Sequence, residues 1–145
     1  MNRNLRWVLM TISVLAVFGI AVSSVSLYHH YGSSKTTFCD FGESFNCDIV
    51  NRSTYSSVFG IPVALIGILG YAVLLALATF YRNKAETPAM LMISSTLGLG
   101  FAIYLTYIER FVLGTWCILC LSSLATIVLI TVFASVLVAH TIRNA

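Results

Sequence analysis

Residues 116–139 read WCILCLSSLATIVLITVFASVLVA, an apolar stretch that begins with a Cys-x-x-Cys motif and contains no charged side chain. About 20 such residues span the ~30 Å hydrocarbon core of a bilayer as an α-helix. Three further apolar runs precede it, at residues 5–28, 58–81 and 89–108. Because a segment in lipid must satisfy its own backbone hydrogen bonds, the pattern predicts an all-α membrane protein, a bundle of four transmembrane helices.

Composition and charge exclude several classes of protein. Of the 145 residues, 59% are hydrophobic and only 9% are charged, whereas soluble domains carry about 25% charged residues. The length fits one domain, residues 1–145, and the net charge of +3 is spread along the chain without a basic stripe. We therefore expect a membrane protein that binds no nucleic acid. We also expect no metal site, since no spacing of Cys and His closes one.

The first apolar run has two interpretations. The basic residues before it and the small-residue sequence Ala21-Val22-Ser23 resemble a cleavable signal peptide. The apolar part of such a peptide spans only about 7–15 residues. Because this run is longer, we expect it to remain as the first membrane helix.

The basic residues favour an orientation with the N-terminus inside, as the positive-inside rule expects. The inner set would be Arg3, Arg6, Arg82, Lys84 and Arg143, and the outer set Lys35, Arg52 and Arg110. Four helices then place all the cysteines at the outer face, and disulfides persist in such oxidising compartments. We expect an integral, multi-pass protein of a bacterial inner membrane, or of the ER membrane in a eukaryote, with its cysteines on the extracytoplasmic side.

Local signals suggest where the middle helices begin and end. Ser57 can cap the second helix, with Pro62 in its first turn. Pro88 marks the first turn of the third helix after a short loop. The stretch 109–115 predicts a short outer connection to the fourth helix.

The Cys-x-x-Cys motif places Cys117 and Cys120 on one face at the start of a helix, where their sulfur atoms can meet. The positive end of the helix dipole favours the thiolate form of Cys117. The alternative is a pair of packed residues without chemistry, since cysteine often serves simply as a small apolar side chain.

A second pair, Cys39 and Cys47, lies in the polar loop of residues 29–57. It forms either a static disulfide or a site of thiol–disulfide exchange, in which a thiolate attacks a disulfide and a neighbouring thiol resolves the mixed disulfide. Two cysteine pairs at one membrane face favour a relay, which would carry two electrons from a soluble protein to an acceptor in the bilayer.

The order of the motifs is distinctive, because the spaced cysteine pair comes before Cys-x-x-Cys. The motifs are Cys39-Asp40-x-Gly42, Cys47, Ser53, Phe59-Gly60-Ile61-Pro62 and Trp116-Cys117-x-x-Cys120. Over nearly the whole chain they resemble the vitamin K epoxide reductase family. The quinone-linked bacterial oxidase DsbB has the reverse order.

The resemblance implies a role for each cysteine. Cys117 and Cys120 match the active-site pair beside a quinone of the menaquinone, ubiquinone or phylloquinone type, with Cys120 interacting with it. Cys39 and Cys47 match the pair that meets a thiol partner. Many bacterial relatives carry a fused thioredoxin-like domain, and this sequence ends at Ala145 without one. The implied partner is therefore a separate secreted protein of the thioredoxin-like or DsbA-like type.

Two further residues match family positions near the quinone. Ser53 matches a hydroxyl-bearing position that can hydrogen-bond the quinone, although a serine there can equally be a cap or turn residue. Phe59 either packs on the quinone ring or fills the core.

The sequence departs from the vertebrate enzymes at two positions. Where they carry an Asn in the second helix and a Tyr one turn beyond Cys-x-x-Cys, a gap-free count finds Ala76 and Leu124. This favours quinone reduction over epoxide reduction. Tyr104, Tyr107 and Ser122 are the polar residues nearby.

The expected function is thus quinone-linked thiol–disulfide oxidation that supports disulfide formation. One alternative is vitamin K quinone or epoxide reduction proper. Another is a non-catalytic membrane protein whose cysteines only form structural disulfides.

Overall fold

The computed structural model describes residues 3–31, 57–58, 60–114 and 118–144. Four long helices make up most of this part of the chain: α1 (Arg3–Tyr31), α2 (Val63–Thr79), α3 (Thr87–Ile108) and α4 (Ile118–Arg143). Helix α1 packs mainly against α2 and α4, and α3 packs mainly against α4. The expected bundle of four apolar helices is therefore present.

Three helical segments in the described ranges are long and apolar enough to cross a membrane: Arg3–Tyr28, Thr87–Val112 and Ile118–Arg143. Helix α2 has 17 residues, at the lower end of the roughly 17–25 residues that a crossing needs. A membrane location is thus supported by three segments, and the fourth crossing remains a prediction.

The core of the bundle takes residues from all four helices. Ile12 of α1, Leu74 of α2, Leu91 of α3 and Ile130 of α4 are buried together. Helix α1 is therefore part of the core, and its retention as a membrane helix remains a prediction. Large apolar side chains such as Val14 also cover the outer surface, as expected where lipid rather than water surrounds the protein.

The start of the second helix differs from the expectation. Ser57–Val58 (β1) pairs antiparallel with Ile61–Pro62 (β2), and Gly60 turns the chain with a φ of 80°. Pro62 has an extended ψ of 135°, so helical geometry begins only at Val63. The prediction that Ser57 caps the helix was wrong, because a glycine that adopts positive φ allows a tight hairpin at this point.

The end of the third helix also differs. Its start agrees with the sequence, since α3 begins at Thr87 with Pro88 in the first turn. At its other end the chain does not leave the bundle after Ile108. A π-helical turn, Glu109–Leu113, continues it to Gly114, whose φ of 68° ends the helical path. The predicted outer connection is thus largely helical.

Candidate functional site

Cys120 is the predicted site residue that the structure describes. It lies in the first turn of α4, partly buried, in the wall of a cavity between the helices. The other residues assigned from the sequence lie outside the described part of the chain: Cys39, Cys47, Ser53, Phe59 and Cys117. The geometry of the site is therefore the geometry of the cavity around Cys120.

The cavity has a volume of about 420 Å³ and takes wall residues from all four helices. Its lining is mainly apolar, with Ile66 of α2, Leu97 and Phe101 of α3, and Leu119 of α4. Cavities that bind small molecules measure roughly 300–1,000 Å³ and combine an apolar wall with a few polar groups. The space beside Cys120 has both properties.

Tyr71 and Ser123 form a polar pair in this wall. The hydroxyl of Tyr71 donates to the backbone carbonyl oxygen of Ser123 at 2.9 Å, and the two side-chain oxygens are also 2.9 Å apart. The pair connects α2 to α4. Neither residue was predicted from the sequence, although a tyrosine within an otherwise apolar run was a visible signal.

Glu109 is the second polar feature that was missed. The sequence placed it in an outer loop, but the π-helical turn brings it into the cavity wall, where only 1% of its surface is exposed. An ionisable group buried within a membrane bundle is costly and usually serves a function. Its position next to a long apolar run was the signal that could have found it.

The polar residues that the sequence did suggest lie elsewhere. Tyr104 and Tyr107 are 56% and 58% exposed on the outer face of α3. The hydroxyl of Ser122 donates to the carbonyl oxygen of Ile118 within α4. Ala76 and Leu124, the two positions compared with the vertebrate enzymes, are not among the described residues of the cavity wall.

A known protein family matches most of the chain. The sequence model of the "Vitamin K epoxide reductase family" matches residues 10–135, which include all four helices in whole or in large part. The chain therefore belongs to the vitamin K epoxide reductase family, whose members are membrane-bound oxidoreductases.

Proposed function

We propose that this protein is a membrane thiol–disulfide oxidoreductase that moves electrons from a secreted thioredoxin-like or DsbA-like protein to a quinone. The observation that carries the proposal is the position of Cys120 in the wall of an apolar cavity of about 420 Å³. Quinones serve the family in general as electron acceptors or substrates, and this makes a quinone the best candidate for the occupant.

The residues of the cavity fit such an occupant. Leu97 and Phe101 offer apolar surface for a ring, and the hydroxyls of Tyr71 and Ser123 offer hydrogen bonds. When bound, a quinone would supply a two-electron, two-proton acceptor and leave as the quinol. The protein's own contribution is to hold Cys120 at the wall and to keep the surroundings apolar.

The proposed route has three steps, each of which balances. Two thiols of the partner become a disulfide while the Cys39–Cys47 bond is reduced to two thiols. That dithiol then reduces the Cys117–Cys120 bond in the same way. Finally Cys117 and Cys120 form their disulfide again, and two electrons and two protons pass to the acceptor in the cavity. The roles of Cys39, Cys47 and Cys117 rest on their motifs.

The same proposal includes the topology. All four helices cross the membrane with the N-terminus inside, so that the two cysteine pairs meet at the extracytoplasmic face. The excess of basic residues on the inner side supports this orientation.

The test uses purified protein in lipid nanodiscs, a reduced thioredoxin-like protein and 2,3-dimethyl-1,4-naphthoquinone, whose absorbance reports reduction. We expect turnover by the wild type and none by Cys120→Ala. Cys39→Ala should fail with the protein donor but retain turnover with dithiothreitol, which can reduce the Cys117–Cys120 disulfide directly. Ser122→Ala, two residues from Cys120 and bonded within its own helix, is the matched control and should behave as wild type. Wild-type quinone reduction by both cysteine variants with the thioredoxin-like donor would refute the route.

Reduction of vitamin K epoxide, the reaction in the family's name, is a second candidate function. The sequence disfavours epoxide reduction, because Ala76 and Leu124 lack the polar groups of the vertebrate enzymes. Tyr71 and Ser123, however, bring hydroxyl groups to the cavity from other positions. Supplying the purified protein with vitamin K epoxide and with the plain quinone in parallel separates the two activities, since a thiol oxidase of the proposed kind consumes only the quinone.

A further inference from the structure

We infer that the hydroxyl groups of Tyr71 and Ser123 form the hydrogen-bonding site that orients a quinone through one of its carbonyl oxygens. The inference rests on the proposed function, since it assigns a task to two residues of the same cavity. Neither residue lies in the motifs by which the sequence resembles the family.

Tyr71 is held at both ends of its side chain. Its hydroxyl oxygen lies 2.9 Å from both oxygen atoms of Ser123. Its ring lies against the backbone of Gly19 in α1, so closely that a β-carbon on Gly19 would be 2.5 Å from ring atoms. The side chain is only 5% exposed and yet lines the cavity. A hydroxyl fixed in this way loses little conformational freedom when it binds a ligand.

Ser123 places the polar pair near Cys120. It follows Cys120 by three positions in α4, and residues three apart lie on the same face of a helix. The two residues are separated along the helix axis by roughly 4.5 Å, three residues at about 1.5 Å each. Both line the cavity. A ring bound at the pair therefore lies on the face of α4 that carries Cys120.

The number of hydrogens in the pair suits a ligand that changes from acceptor to donor. The two hydroxyls contain two O–H hydrogens, and the carbonyl oxygen of Ser123 accepts the one from Tyr71. The hydroxyl of Ser123 is then the donor in the 2.9 Å contact with the oxygen of Tyr71, and it can turn from that oxygen to donate to a quinone carbonyl. After reduction, the oxygen of Tyr71 can accept a hydrogen bond from the quinol hydroxyl while still donating to the carbonyl of Ser123. One pair thus serves both redox forms.

The same two hydrogen bonds would also serve a purely structural role, in which they hold α2 and α4 together. In that role they would not change the relative affinity of the protein for two ligands of similar shape. A ligand site instead distinguishes a molecule with carbonyl oxygens from one of similar shape without them. The two roles therefore differ in a measurement of binding, independent of turnover.

The test compares the affinities of the purified, oxidised protein for 2,3-dimethyl-1,4-naphthoquinone and 2,3-dimethylnaphthalene. The wild type should prefer the quinone. In Ser123→Ala the ratio of the two affinities should fall by about two- to tenfold, the range expected for one hydrogen bond. Tyr71→Phe should also lower the ratio, because the Ser123 hydroxyl then loses the neighbouring oxygen that orients it. In the double variant the affinity ratio should fall by less than the product of the two single effects, because both substitutions act on the hydrogen bonding of the same quinone carbonyl. Ser123→Thr keeps the hydroxyl and should keep the ratio.

Tyr104→Phe is the control, because it removes a hydroxyl from a tyrosine on the outer face of α3; its ratio should remain that of the wild type. A wild-type ratio in both Tyr71→Phe and Ser123→Ala would overturn the inference. If Tyr71→Phe does not fold, the contrast between Ser123→Ala and Ser123→Thr decides alone.

Failure of the inference is distinguishable from failure of the proposed function. A wild-type protein that prefers the quinone but never reduces it would refute the function and leave the orienting site in place. A wild-type protein that reduces the quinone, with an affinity ratio that neither variant changes, would refute the orienting site alone.

Discussion

The hydroxyl oxygen of Tyr71 lies 2.9 Å from the carbonyl oxygen of Ser123, and this contact joins two helices across 52 positions of sequence. Hydrogen bonds between membrane helices contribute only about 0.6–2 kcal/mol each. The contact therefore fixes the relative position of α2 and α4 more than it determines total stability. Because Cys120 lies in the same cavity wall, that position matters for the proposed chemistry.

The close approach of Gly19 to Tyr71 gives a first prediction. A methyl group at position 19 would collide with the tyrosine ring, so Gly19→Ala should destabilise the protein by about 1–3 kcal/mol, the usual cost of overpacking. Thermal unfolding in detergent measures the effect. Gly100→Ala is the control, since a β-carbon there meets no atom within 4 Å. If Gly19→Ala unfolds at the wild-type temperature, the ring does not pack on α1 as described.

Filling the cavity gives a second prediction. Gly70 lines the cavity, and a β-carbon added to it meets no atom within 4 Å. Gly70→Leu should therefore fold, occupy part of the cavity and weaken binding of 2,3-dimethyl-1,4-naphthoquinone by at least about tenfold, or 1.4 kcal/mol. Gly100→Leu adds the same side chain outside the described cavity wall and should bind normally. Equal affinities in the two variants would place the quinone elsewhere.

Glu109 gives a third prediction. Thiol oxidation releases protons, and a buried carboxyl in the same cavity wall is suited to accept and pass them. Glu109→Gln keeps the size of the side chain but cannot carry a proton, so quinone-dependent turnover should fall by at least about tenfold; positioned acid–base groups typically contribute ~100-fold or more. Stopped-flow measurement of quinone reduction tests this. Glu86→Gln changes an exposed carboxylate before α3 and should have no effect. Normal turnover in Glu109→Gln would leave the carboxyl a structural role.

The proposed topology gives a fourth prediction. In a variant without native cysteines, Lys84→Cys reports on the loop between α2 and α3, and Arg110→Cys reports on the turn after α3. A maleimide that cannot cross membranes should label position 110 in intact cells and should label position 84 only after the membrane is opened. Labelling of both positions in intact cells would contradict a crossing by α3. The reverse pattern would invert the orientation.

The sequence predicted the helices and the location of Cys120 because both depend on local properties. A run of about 20 apolar residues must form a helix in lipid. A Cys-x-x-Cys motif at the start of such a run is therefore expected at the start of that helix. The start of α3 was also local, since Pro88 restricts the first helical turn. These features needed no knowledge of which helices are neighbours.

The polar lining of the cavity was missed because it depends on which face of each helix points inward. A helix that is apolar all round gives no such signal, unlike an amphipathic helix of a soluble protein. Counting from family motifs therefore pointed to Ala76 and Leu124, whereas the structure brings Tyr71 and Ser123 together. Glu109 was missed for a different reason: a single π-helical turn rotates it from a supposed loop into the bundle.

The short length of α2 has a consequence for the lipid. At about 1.5 Å per residue, its 17 residues reach roughly 26 Å, less than the ~30 Å thickness of a typical hydrocarbon core. Since the proposed topology takes α2 across the bilayer, its neighbourhood is a site of hydrophobic mismatch, which lipids relieve by thinning at a modest energetic cost. The protein should therefore work best among lipids with shorter acyl chains, and the paired strands β1 and β2 should lie where the bilayer is thinned.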